Sequence, residues 1–212
     1  MVSKDYKLPL TELFLLLVVF LSSLNYAVYS ESNEWTKSSS NIPVGSKPNS
    51  IAIGLGNIYV TNSGSNTISV IDGKTNKVVA TIPVGASPHD IIGSMLGKLY
   101  VTNSGSNTIS VIDGKTNKVV ATIPVSNFPR GIAVADNGLI YTTNSGSDNV
   151  SVIDGKTNKV VATIPSGYLP NGVASDETYS KIYVTNSGSN NISVINGANN
   201  IESTENHYCE TK

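Results

Sequence analysis

Few side chains in this sequence could do chemistry. His89 stands beside Asp90, and Arg130 holds the matching place one repeat further along. A histidine next to a carboxylate is the arrangement of a general base, and an arginine nearby would serve an anion. No serine or cysteine nucleophile occupies a partner position, and neighbouring residues of a strand point to opposite faces. The sequence therefore predicts no catalytic residues and no enzyme. A polar binding rim is the expected use of these three side chains.

Other candidates are weaker. The Asp-Gly-Lys-Thr-Asn segments at Asp72, Asp113 and Asp154 look like fragments of calcium loops. A calcium loop needs oxygen ligands at alternating positions and a terminal glutamate, and here Lys74, Lys115 and Lys156 intrude. Hairpin chemistry accounts for these residues. Asn62-Ser63-Gly64-Ser65 is followed by no helix, so it offers no phosphate cradle. His207 and Cys209 form a ligand pair without a second pair, so neither a metal centre nor a cofactor is predicted. Cys209 is the only cysteine, which excludes an internal disulfide and leaves a link between chains open. Asn149-Val150-Ser151 and Asn191-Ile192-Ser193 are acceptor sequons for N-glycosylation.

What must position these residues is a repeat. Tyr59 opens the stretch YVTNSGSNTISVIDGKTNKVVATIPVG, which returns at Tyr100, Tyr141 and Tyr183, spacings of 41, 41 and 42 residues. A fixed period near 40 signals stacked supersecondary units. Within a copy, runs of Val, Ile, Thr and Tyr alternate with Gly, Asn and Asp turns. The runs in the first copy are Ser50 to Ile53, Ile58 to Thr61, Thr67 to Ile71 and Lys77 to Ile82. Each copy thus reads as a four-stranded antiparallel meander. Nowhere does an apolar 3.6-residue period last long enough for a helix. Val70-Ile71 and Val78-Val79-Ala80 put apolar groups on both faces, as a sheet covered on both sides would require. The expected fold is all-β: a β-propeller of four blades, either a small closed ring or a partial propeller.

Tyr59-Val60-Thr61-Asn62, Tyr100-Val101-Thr102-Asn103 and Tyr183-Val184-Thr185-Asn186, with Tyr141-Thr142-Thr143-Asn144 slightly altered, resemble the signature of the YVTN-type β-propeller repeat. The resemblance covers residues 41 to 200 and includes the Pro-x-Gly-Ile-Ala-Val run, Pro129 to Val134. It implies kinship with secreted and surface-layer proteins of bacteria and archaea, and no particular reaction. Such propellers usually carry seven blades, whereas four copies are present here. A second chain could complete a larger ring, so a homo-oligomer is a further expectation.

The flanks differ in composition. In residues 1–30, Lys4 and Lys7 precede the apolar run Leu13 to Leu21, and Val28-Tyr29-Ser30 offers small residues for cleavage. This reads as a secretory signal, or as an anchor through residues 8–24. Residues 31–40 are a polar lead-in, 41–200 the propeller repeats and 201–212 a polar tail. Asn41 to Val44 copies part of a fourth strand, while Glu202 to Glu205 replace the apolar residues of the last one. The N-terminal segment is therefore expected to join the last blade and close the ring.

The connection from strand four to the next strand one varies most. Lys47, Asn49, His89, Asp90, Phe128, Arg130 and Asn171 lie in or just after these connections and form the expected binding face at the channel mouth. Net charge is −1 and charged residues are 14% of the chain, which excludes a nucleic-acid footprint. The expectation is a secreted or cell-surface, non-enzymatic scaffold or binding module for a protein or glycan, with a surface layer as one setting. The alternative is an enzyme or cofactor-binding propeller, lactonase-like or electron-transferring.

Overall fold

The computed structural model describes residues 41–94, 96–197 and, for the backbone alone, 201–202. The signal or anchor segment, the lead-in, and His207 and Cys209 lie outside the described residues. Chain packing divides the protein at Asn41, and the strands all belong to the unit Ile42–Lys212.

Among the described residues every regular element is a strand. The first sheet runs β1 (Pro48–Gly54), β2 (Asn57–Asn62), β3 (Thr67–Asp72), β4 (Lys77–Pro83). The second is β5 (Pro88–Gly93), β6 (Lys98–Asn103), β7 (Thr108–Asp113), β8 (Lys118–Pro124). The third is β9 (Pro129–Val134), β10 (Leu139–Asn144), β11 (Asn149–Asp154), β12 (Lys159–Pro165). The fourth is β13 (Pro170–Asp176), β14 (Lys181–Asn186), β15 (Asn191–Asn196), β16 (Ile201–Glu202). Each sheet is an antiparallel meander, and its first strand is innermost, because β1 packs on β5, β5 on β9 and β9 on β13.

The turns explain the meander. Asn66, Asn107, Asp148 and Asn190 hold φ of 56°, 57°, 50° and 53°, the left-handed region that Asn and Asp tolerate. In the next turn the Asp72 carboxylate accepts the Lys74 and Thr75 amides at 3.1 and 2.8 Å, and Asp113 does the same for Lys115 and Thr116. The carboxylates that resembled calcium ligands are thus taken up in closing hairpins.

The core lies between sheets. One face of blade 1 (Tyr59, Ile68, Val70, Ile82) meets the opposite face of blade 2 (Ile91, Leu99, Val101, Ile112). The same two faces meet between blades 2 and 3 and between blades 3 and 4. Burying an Ile or Val contributes on the order of 2 kcal/mol. A lone meander has no such partner, so stacking holds the blades.

Two expectations need correction. Val78 and Val79 are not covered on both sides; they are 40% and 57% exposed. A bulge between Val70/Ile71 and Ala80/Val78 displaces Val79 on the outermost strand, and β8 and β12 repeat it. Nor is the ring closed. No comparable packing joins β13 back to β1 among the described residues, residues 41–44 form no strand, and β16 takes the fourth place in the last blade. The same packing repeats from blade to blade, and three such junctions leave the first and last sheets unjoined.

Candidate functional site

The site grows from a bulge at the start of each innermost strand. Pro88 pairs with Asn103 and Ile91 with Val101, so His89 and Asp90 together face the single residue Thr102. The same irregularity sets Asn49 and Ser50 opposite Thr61. Simple alternation fails at a bulge, which re-aims side chains. The sequence argument that placed His89 and Asp90 on opposite faces does not apply here.

A threonine hydroxyl holds each bulge and ties it to the next blade. Thr102 Oγ1 accepts the Asp90 amide at 2.8 Å and donates to the Arg130 carbonyl at 2.8 Å. Thr143 accepts the Gly131 amide at 2.9 Å and donates to the Asn171 carbonyl at 2.7 Å. Thr61 accepts the Ser50 amide at 2.8 Å and reaches the His89 carbonyl at 3.3 Å. These clamps line up Asn49, His89, Arg130 and Asn171 on successive innermost strands.

Within that row the side chains differ in role. The Asp90 carboxylate accepts the Ser50 hydroxyl at 2.8 Å, the Ile91 amide at 2.9 Å and, in blade 3, the Ile132 amide at 3.3 Å. It fastens three blades and is not free to act as a base. Asn49 Nδ2 donates to the His89 carbonyl at 2.7 Å. His89 is half-buried, and its Nδ1 is buried with no hydrogen-bond partner. Burial, then the Arg130 guanidinium, lowers its pKa from the usual histidine value, outweighing Asp90 and a backbone contact to Arg130. The imidazole is therefore neutral near pH 7 and sits within the field of an exposed cation.

The predicted face splits. Asn49, His89, Asp90, Arg130 and Asn171 come together. Lys47 and Phe128, at φ of 52° each, lie instead over Gly64 and Gly146 in the second turn of their own blades. The sequence reading missed Ser50 and the threonine clamps, although the repeated Thr two places after each tyrosine was there to be read. Asn149 and Asn191, the sequon residues, stand where Thr67 and Thr108 stand in earlier blades. Each accepts from a buried asparagine, Asn144 or Asn186, as those threonines do from Asn62 and Asn103. Among the described residues no three His, Cys, Asp or Glu side chains gather as a metal cluster. A cavity of about 460 Å³ lies at the other end of the innermost strands, beside Ile53, Gly93 and Lys98, away from His89.

Comparison with known proteins bears on this geometry. The model of a family described as the DUF6242 beta propeller domain matches residues 15–168. A curated PE-PGRS family protein, PE_PGRS18 of Mycobacterium tuberculosis, is 51% identical over 45 residues, which are 21% of this chain and 10% of that one. Hydrazine synthase of Kuenenia stuttgartiensis superposes with a TM-score of 0.71 at 23% identity, over 81% of this chain and 52% of that one. A streptogramin B lyase gives 0.64 at 22% identity, over 74% and 54%. Virginiamycin B lyase from Staphylococcus aureus gives 0.62 at 20% identity, over 71% and 53%. The chain spans about half the length of these solved structures and a tenth of the curated relative.

These likenesses overturn the expectation of a non-enzyme. The solved structures named are enzymes, so this fold carries catalysis in its structural neighbours. One of the two physical objections, strand alternation, also falls away at the bulge.

Proposed function

This chain belongs to the DUF6242 β-propeller domain family, and from that premise we propose that the His89–Arg130 face is a site of proton transfer on a small carbonyl-containing or anionic ligand, as in a lyase or hydrolase. The observation that carries this reading is the neutral, half-buried imidazole with an unfilled Nδ1 beside a guanidinium. His89 would take a proton from carbon or water, and Arg130 would stabilise the negative charge that develops on oxygen. Asn49 and Asn171, both exposed on flanking strands, would orient the ligand. We assign the repeats to the YVTN type, and with the Lys4, Lys7 and Leu13 to Leu21 pattern this supports work outside the cytoplasm.

The test is turnover by the purified full-length chain of streptogramin B, and of simple lactones and esters. Turnover should rise with pH through a value below the ordinary histidine range. His89→Ala should lower kcat by about 10²-fold or more, and Arg130→Gln should weaken both binding and rate. Turnover that His89→Ala leaves intact would remove the proposal, as would no turnover of any of these substrates.

A further inference from the structure

Blade 4 ends in an unpartnered face. It presents Tyr183, Ile192 and Val194, the counterparts of Tyr59, Ile68 and Val70, around a hollow of about 320 Å³. Ile68 is fully buried against blade 2, whereas Ile192 is 51% exposed. Blade 1 ends in the face that such a surface meets at every internal junction. On its innermost strand Ile51 and Ile53 are 62% and 79% exposed, while Ile91, the counterpart of Ile51, is buried against blade 1.

Hydrogen bonds make the two ends specific for one another. Thr61, Thr102 and Thr143 each donate to the carbonyl of the residue after the next blade's proline, namely His89, Arg130 and Asn171. Thr185 is the fourth in that series, and among the described residues it bonds only Gly172 of its own blade. The missing acceptor of the series is the Asn49 carbonyl. Tyr59 donates to the Gly114 carbonyl at 3.3 Å, and Tyr100 to that of Gly155 at 3.5 Å. Tyr183 has no such bond among the described residues, and the unused acceptor of its series is the Gly73 carbonyl.

We propose that the Tyr183–Ile192 face of one copy docks on the Ile51–Ile53 face of a second copy, repeating the internal blade junction, with Thr185 donating to the Asn49 carbonyl and Tyr183 to the Gly73 carbonyl. A head-to-tail contact of this kind is heterologous and closes when the rotation permits. The matched part of this chain spans about half of each solved structure that resembles it, so two copies supply the span of one such ring.

The experiment is light scattering on the full-length chain over a dilution series. Wild type should show twice the chain mass. Ile51→Lys and Ile192→Lys should each be monomeric, since each spoils one side of every junction. Mixing the two variants should restore a two-chain species, because the mixture retains one intact junction. Phe128→Lys, exposed and away from both faces, serves as the folding and charge control, and circular dichroism confirms that each variant is folded. A monomeric wild type would overturn the proposal and point to the chain's own residues 1–40 or 198–212, or another protein, as the cover. So would a dimer untouched by Ile51→Lys, or variants that fail to complement.

Discussion

Replacing Thr102 by Val keeps the shape of a fully buried side chain and deletes one hydroxyl. That hydroxyl accepts the Asp90 amide and donates to the Arg130 carbonyl, both at 2.8 Å. Without Oγ1 the Asp90 amide loses its acceptor at the bulge. A buried donor left unpaired costs about 1–3 kcal/mol. Taking about 2 kcal/mol, and a urea dependence of about 2 kcal/mol per molar, the midpoint should fall by about 1 M. Thr143→Val should cost as much, since its bonds are 2.9 and 2.7 Å. Thr61→Val should cost less, because its bond to blade 2 is 3.3 Å. Thr185→Val, on the open face, should cost only a few tenths of a kcal/mol. The assay is urea unfolding followed by circular dichroism, run in an Ile51→Lys background so that the fourth face stays unoccupied. Hydrogen exchange at the Asp90 and Gly131 amides should locate the loss at the junction. Equal losses at all four threonines, or the largest at Thr185, would refute the clamp.

The same geometry makes titration and packing testable. Because folding lowers the pKa of His89, the unfolded chain binds the proton more readily. Stability should hold above the ordinary histidine range, fall as pH drops through it, and level off below the folded pKa; His89→Asn, the residue found at positions 49 and 171, should abolish that fall in denaturation curves. Gly131→Ala would set a Cβ 2.4 Å from the Asn171 carbonyl oxygen and 3.2 Å from the Val173 amide, where backbone must give way. It should cost about 1–3 kcal/mol in thermal melts, whereas at Gly172 the nearest atom is Thr185 Oγ1 at 3.2 Å and Ala should be milder. The Asp72 carboxyl, held by the Thr75 amide and hydroxyl, should titrate below the usual carboxylate range by NMR. Thr75→Ala should move it back toward that range.

The third and fourth strands of the first three blades are the most legible part of this chain. The runs Thr67 to Ile71 and Lys77 to Ile82 match β3 and β4 with one residue added at an end, because turn residues with strong local preferences bracket them. Sequence pattern misses the openings of the first strands, starting blade 1 at Ser50 instead of Pro48. Their opening residues are bulged, and a bulge held by a hydroxyl eleven or twelve residues away leaves no local pattern. The same bulge hides the chemistry, because alternation puts His89 and Asp90 apart. The Val78-Val79 pair misleads for a related cause: a second bulge breaks the period on the outer strand. Ring closure depends on the rotation per blade, a property of packed faces that composition does not encode.

The outer strands carry a further consequence. β4, β8 and β12 each pair on one side only, and each shows the same two exposed valines. Identical sticky borders on one molecule invite strand addition between neighbours, the first step toward aggregation. Each border opens with a lysine and closes with a proline: Lys77 and Pro83, Lys118 and Pro124, Lys159 and Pro165. The lysine brings charge repulsion, and the proline removes a donor that an incoming strand would need. Between them the bulge at Val79, Val120 or Val161 breaks the straight run of hydrogen-bonding groups. The repetition that lets one blade teach the next how to pack also multiplies its most adhesive edge, and each copy carries its own deterrent.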